Sequence, residues 1–216
     1  QLVQTNTSDL VTSATGKILR RQEGASSAFW YNYWASPVGT TGATSLIDNN
    51  AAATNNPNNT AFKLNMLKNE SGINMQFTPA YNQVDKISTY WLYTFKNGLT
   101  YWDWALLSPT ASLTPGIGYT QKGTGNAGLH QQYIFEGKPN NGTILVDVID
   151  KGGNGSVPAV SKTEYLLGNP YPSALDIYKF IEDNASVIDG TLQLWQQWAG
   201  NSHYLDEYKG GYAQVN

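Results

Sequence analysis

Two groups of aromatic residues have the types and spacing to act on a ligand. Trp102-Asp103-Trp104 would set both indoles on one face of an extended strand and the carboxylate on the other. Trp195 and Trp198 flank Gln196-Gln197. Sugars present apolar C–H faces that stack on indole, and hydroxyls that pair with Asn, Gln and Asp. Trp102, Asp103, Trp104, Trp195 and Trp198 are therefore the expected ligand-binding residues for a neutral glycan. The competing expectation is that these tryptophans fill a large core and the chain is a structural spacer or cap. Exposure of the rings decides between the two.

Other chemistries find less support. Glycoside hydrolysis needs two carboxylates facing each other across a groove. Asp103, Glu136, Asp147, Glu164 and Asp206 are available, but no spacing pairs them, so a catalytic role is not expected. Calcium asks only for several carboxylate, amide and carbonyl oxygens. Asp48 with Asn49-Asn50, and Asp183-Asn184 with Asp189, are the clusters that could supply them, without the spacing of an EF-hand. Gly123-Thr124-Gly125-Asn126-Ala127-Gly128 matches the G-x-G-x-x-G phosphate-binding pattern. That pattern needs a helix to follow, whereas Leu129 to Phe135 reads as a strand, so a hairpin loop is expected. His130 and His203 are too few for a histidine-rich metal centre. Cysteine is absent, which removes disulfides, thiolate zinc sites and cysteine nucleophiles together.

The elements that must position these residues are strands. Period-two alternation recurs throughout, most clearly in Ile73-Asn74-Met75-Gln76-Phe77, with three apolar side chains on one face and two amides on the other. Ser88 to Phe95 reads as a central strand. Tyr133-Ile134-Phe135 and Thr143 to Ile149 read as a hairpin across the Lys138-Pro139-Asn140-Asn141-Gly142 turn. Further strands are expected at Lys17 to Arg21, Phe29 to Trp34, Thr100 to Ala105, Thr163 to Leu167, Leu192 to Trp195 and Tyr212 to Val215. One helix is expected near 173–183, capped by Ser173 and stopped at Asn184, after the rigid arm Pro170-Tyr171-Pro172. Gly39 to Asn59 carries no alternation and reads as a long surface loop.

Composition narrows the setting. Only 13% of the 216 residues are charged and the formal net charge is −3, so no basic nucleic-acid surface exists to be read. Polarity comes instead from 21 Asn and 35 Ser and Thr, a neutral hydrogen-bonding surface. No stretch approaches the roughly 20 apolar residues of a membrane span. The first residues hold no basic segment followed by an apolar run, as expected of a processed chain or an internal piece.

Five strings form a recognisable set: YNYWASPVG at 31–39, GIGY at 116–119, FEGKPNNGTI at 135–144, LLGNPYPSALDIYKFI at 166–181 and GTLQLW at 190–195. Together they resemble modules of the large secreted, adhesin-like surface proteins of Bacteroidetes that are exported by type IX secretion. The resemblance covers most of residues 17–216, with GNPYPSALD its most specific part. It implies an extracellular location on a cell surface, within a parent protein attached to the outer membrane, and supplies no catalytic residues.

The expected fold is all-β: an antiparallel, jelly-roll-like β-sandwich with one short helix. Residues 1–21 would be an N-terminal strand segment ending an upstream repeat array, and 22–216 the sandwich. The expected function is non-catalytic adhesion to an extracellular glycan or surface protein, with calcium as the one candidate cofactor. Neighbouring domains of the same chain are expected partners, and nucleic acid is not. A structural spacer or cap is the alternative, and a glycan-active enzyme a more distant one.

Overall fold

A computed structural model describes residues 2–5, 7–40, 54–152 and 162–216. Its fold is all-β with one short helix. The strands are β1 (Ile18–Ala25), β2 (Tyr31–Trp34), β3 (Val38–Gly39), β4 (Lys68–Asn69), β5 (Gln76–Thr78), β6 (Lys86–Ser88), β7 (Tyr93–Phe95), β8 (Trp104–Leu106), β9 (Tyr119–Lys122) and β10 (His130–Pro139). After them come the helix α1 (Ile177–Asp183) and the strands β11 (Leu192–Ala199) and β12 (Lys209–Val215).

The long strand β10 organises the first sheet. It pairs antiparallel with β1 from Ile18 opposite Gly137 to Ala25 opposite His130, and also with β3 and β4. The second sheet runs in the order β2-β9-β7-β8. Alternation in β2 sends Trp34 toward the first sheet, where its ring lies 5.6 Å from Tyr133 and 6.0 Å from Phe135. Phe62 closes on Phe135 at 5.5 Å, and Leu64, Leu67, Ile87, Leu92 and Tyr119 complete a core from which water is excluded. Each such side chain contributes roughly 1.5–3 kcal/mol when fully buried.

Several expected elements take other forms, each for a local reason. The 143–149 segment makes no ladder with β10, because both edges of β10 are already taken by β1 and by β3 and β4. An Asn55 side chain stands in for the missing strand: its Oδ1 accepts from Leu145 N at 2.6 Å and its Nδ2 donates to Leu145 O at 3.2 Å. The 88–95 strand is broken by a 3-10 turn at Thr89–Trp91, where Ser88 Oγ accepts from Tyr90 N. Ile73 is exposed, because Asn69 Oδ1 accepts from Ser71 N and Ile73 N and turns the chain there. Met75 and Phe77 do face inward. The 163–167 segment forms only single bridges, Gly98 to Glu164 and Ile117 to Leu167.

α1 is capped by Asp176, whose Oδ1 accepts from Tyr178 N and Lys179 N, and not by Ser173. Ser173 is held in the approach arm, with its carbonyl bonded to Asn169 Nδ2 and its N–H to Gln4 Oε1. Asn184 does end the helix. β1 spans both sides of residue 21, where a boundary between segments was expected. Of the long loop expected at 39–59, residues 41–53 lie outside the described residues.

Asn140 and Asn141 tie irregular segments from across the chain. Asn140 Nδ2 donates to Pro170 O at 2.8 Å and Ser36 O at 3.4 Å, while its backbone carbonyl accepts from Gln4 Nε2. Asn141 Nδ2 donates to Ser8 O, and Asn59 grips both backbone groups of Asn141. Both asparagines are buried, so removing one amide strands carbonyls away from water. Asn140→Ala should therefore cost about 2–3 kcal/mol and lower the melting temperature by roughly 5–10 °C. A loss under about 0.5 kcal/mol in urea unfolding would show that the knot does not hold the fold.

Candidate functional site

The five aromatic and carboxylate residues of the expected ligand face separate into two pairs and a cap. Residues 100–105 do not form one strand. Tyr101–Asp103 is a 3-10 turn and β8 begins only at Trp104. The cause is Asp103 itself: its Oδ2 accepts from Leu99 N at 2.8 Å and Thr100 N at 2.9 Å, closing a capping box with Thr100. Those backbone N–H groups hold the Asp103 carboxyl below its usual range. Trp102 consequently stands 87% exposed, its ring against that of Tyr101. Trp104 turns the other way and packs on Phe95 at 4.8 Å and Tyr33 at 6.1 Å.

The second pair splits likewise. In the β11–β12 hairpin Trp195 lies opposite Tyr212, and its indole stacks on Tyr33 at 5.7 Å with an interplanar angle of 18°. Trp198 points away and is 58% exposed. Its benzo ring lies over Gly211, where a Cβ would sit 3.5 Å from it. Gln196 stands opposite Gly211 in the ladder, so amide and indole share one outward face. Trp102 and Trp198 are thus presented to solvent, while Trp104 and Trp195 are packed.

The hairpin forms a third layer over the outer face of the second sheet. Tyr31 and Tyr33 of β2, Lys122 of β9 and Trp104 of β8 project from that sheet, and Trp195, Tyr208 and Tyr212 meet them. Gln197 pins the hairpin to the free edge of β2, accepting from Tyr31 N at 2.9 Å and donating to Phe29 O. Trp30 Nε1 donates to Gly200 O at 2.7 Å.

Beneath this cover lies a feature that residue spacing does not reveal. The amine of Lys122, a residue only 2% exposed, sits 3.8 Å from the centre of the Trp91 ring, 4.6 Å from Tyr31 and 4.7 Å from Tyr208. Its Nζ donates to Tyr208 Oη at 2.6 Å and lies 3.2 Å from His203 Nδ1. His203 in turn stacks on Trp91 at 4.8 Å, and its Nε2 faces the Asn82 amide. Among the described residues no carboxylate pairs with Lys122. Burial pulls its amine down to about 7, and burial together with the lysine charge lowers His203. The ring faces act in the opposite sense, favouring the ammonium. Residues 31, 91, 122, 203 and 208 are too far apart in sequence for any motif to join them.

The remaining candidates have structural partners. Glu136 is bridged by Lys17 and Lys68, which hold its carboxyl low. Of the expected calcium donors, Asp183 pairs with Lys179 at 2.8 Å and Asp189 Oδ1 accepts from Thr191 N at 2.9 Å, while Asp48 lies outside the described residues. No group of three or more acidic or histidine side chains converges among the described residues. The 123–128 loop joins β9 to β10, but these strands lie in different sheets, so it is a crossover between the two sheets and not the hairpin loop expected from the strand at Leu129 to Phe135. Two of its amides are already used, Gly123 N by Ser27 O and Trp30 O, and Gly125 N by Ser26 O, and a strand instead of a helix follows it, so the phosphate-binding pattern lacks its context.

Lys122 gives the fold a definite pH response. A depressed base stabilises the folded state above its unfolded value of 10.5 and loses that contribution as pH falls through about 7. Burial also raises Tyr31, Tyr33, Tyr119 and Tyr133, and these contribute below pH 10 and lose it above. Stability should therefore climb by on the order of 2 kcal/mol between pH 7 and pH 10 and fall beyond. Denaturant titrations across that range should show the climb in the natural chain and a flat line in Lys122→Met. An equal slope in both would refute the assignment to Lys122.

Neither a curated protein nor a solved structure matches this chain. Residues 1–215 match the profile of one family, described as a domain of unknown function, DUF8693. Since that match spans nearly the whole chain, the all-β, hairpin-covered protein described above belongs to the DUF8693 family.

Proposed function

We propose that this protein is a non-catalytic adhesion module, displayed outside the cell on a larger surface protein, that binds a neutral glycan. The observation that carries the reading is Trp198, whose indole rests on Gly211 with Gln196 beside it, an apolar ring next to an amide on an open face. Exposed indoles of this size cost solubility when they meet nothing, and they suit the C–H face of a sugar. Trp102, beside Tyr101, offers a second such ring. The low charge of the chain fits a neutral ligand, and the likeness to type IX-secreted Bacteroidetes adhesins supports an extracellular setting. Asp103 and Glu136 are committed to a cap and to two lysines, so the reading asks for no acid–base pair.

A structural spacer is the second reading. It is favoured by the N-terminal arm, where Gln4, Ser8 and Ser13 are bonded to residues 138–141 and 173 and would join the module rigidly to whatever precedes it. A glycan array probed with and without calcium separates the two. Trp198→Ala and Trp102→Ala should each weaken retention about tenfold, the worth of one ring contact, with the melting temperature within about 2 °C of the parent. An array empty for the parent protein, or unchanged retention in both folded variants, would leave the spacer reading in its place.

A further inference from the structure

The glycine loop between β9 and β10 has no task in the ring contacts above, yet it is built with care. Gly125 and Gly128 hold φ of +71° and +108°, and a Cβ on Gly123 would collide with the backbone of Ser26. Ser26 N donates to Leu129 O and Ser26 Oγ to Gly128 O, while Thr124 O accepts from Asp85 N. These bonds fix three segments, residues 26–30, 82–85 and 123–129, around a cleft of about 510 Å³. That volume lies within the range of small-ligand sites, roughly 300–1,000 Å³.

Its lining selects a ligand class. Every side chain on the wall is uncharged, so nothing there would neutralise a phosphate, a carboxylate or an ammonium group. Phe29 and Trp30 supply aromatic surface. The carboxamides of Gln83, Asn126 and Asn201 make no hydrogen bond of their own within the described residues. Each can donate and accept at once, which is what neighbouring hydroxyls on a ring require. Phe29 lies against His203 at 4.7 Å and Asn82 faces the same imidazole, so the rear of the cleft is braced by the packed layer over the second sheet.

From this we infer that the cleft formed by the 123–128 loop, the 26–30 turn and the 82–84 loop is a separate binding site for a neutral saccharide of one or two units. The inference rests on the reading of the module as a glycan binder and adds an end-recognition pocket to the open indole faces. Trp198 and Trp102 would grip a chain along its side, whereas the cleft takes a terminal unit.

Isothermal titration and amide-resolved NMR with cellobiose, maltose, lactose and diacetylchitobiose test it on the full chain. At least one disaccharide should bind, moving the Gly125 and Gly128 amides and the Trp30 indole resonance. Val84→Trp, at a loop position 63% exposed, should fill the cleft mouth and weaken binding at least tenfold. The double variant Asn126→Ala with Asn201→Ala should do the same with the cleft still open. Ile73→Ser, at an exposed position that lines neither the cleft nor the indole faces, should bind the free disaccharide within twofold of the parent. Unchanged affinity in both cleft variants, or shifts confined to residues outside the cleft, would overturn the inference. If no disaccharide bound while the array still retained glycan through Trp198, the cleft would fall and the binder reading would stand. If both were empty, both would fall.

Discussion

Side-chain amides do the work of missing strands in this molecule. Asn32 accepts from Ala25 N and donates to Ala25 O, and Asn55 does the same at Leu145 and Asn59 at Asn141. Gln197 accepts from Tyr31 N and donates to Phe29 O. A carboxamide offers one donor and one acceptor in nearly the geometry of a peptide group, so it satisfies a buried backbone segment that no ladder reaches. The second sheet, the irregular stretch after β10 and the C-terminal hairpin all hang on this substitution. It also accounts for a composition rich in Asn and poor in charge.

The layered architecture follows. A sheet with one wet face needs alternation, but β2 and β9 carry large rings or a lysine on their outer face as well as core residues on the inner one. Such a sheet requires cover on both sides. The first sheet covers one side, and the β11–β12 hairpin covers the other through Trp195, Tyr208 and Tyr212. The hairpin then has a face left over, and Trp198 stands on it. Packing and presentation are thus opposite sides of the same two strands, and a residue's position in the alternation decides which it serves.

That alternation was legible in the sequence where strands pair regularly, as in β1, β2, β11 and β12. It misled at Thr143 to Ile149, because an apolar alternating segment says nothing about whether a partner edge remains free. It misled again at 100–105, because Asp103 bonded to Leu99 N and Thr100 N and curled the chain into a turn. Trp102 and Trp104 were placed on one face by counting; the turn rotated them apart. Whether a tryptophan is core or surface depends on what lies across from it, and Trp195 meets Tyr33 while Trp198 lies over a glycine on the open face. The Lys122 enclosure was beyond reach for the same reason at longer range, since its walls come from strands and loops distant in the chain.

The pairing of β1 with β10 has a kinetic side. Residue 18 lies opposite 137 and residue 25 opposite 130, so the first strand of the fold closes only after more than a hundred later residues exist to receive it. A contact of that separation carries a large loop-closure cost before any ladder bond repays it, which places the chain among slow folders. Until β10 arrives, the N-terminal strand has no partner and the core no floor. The first sheet therefore cannot close until residues 130–139 have been made.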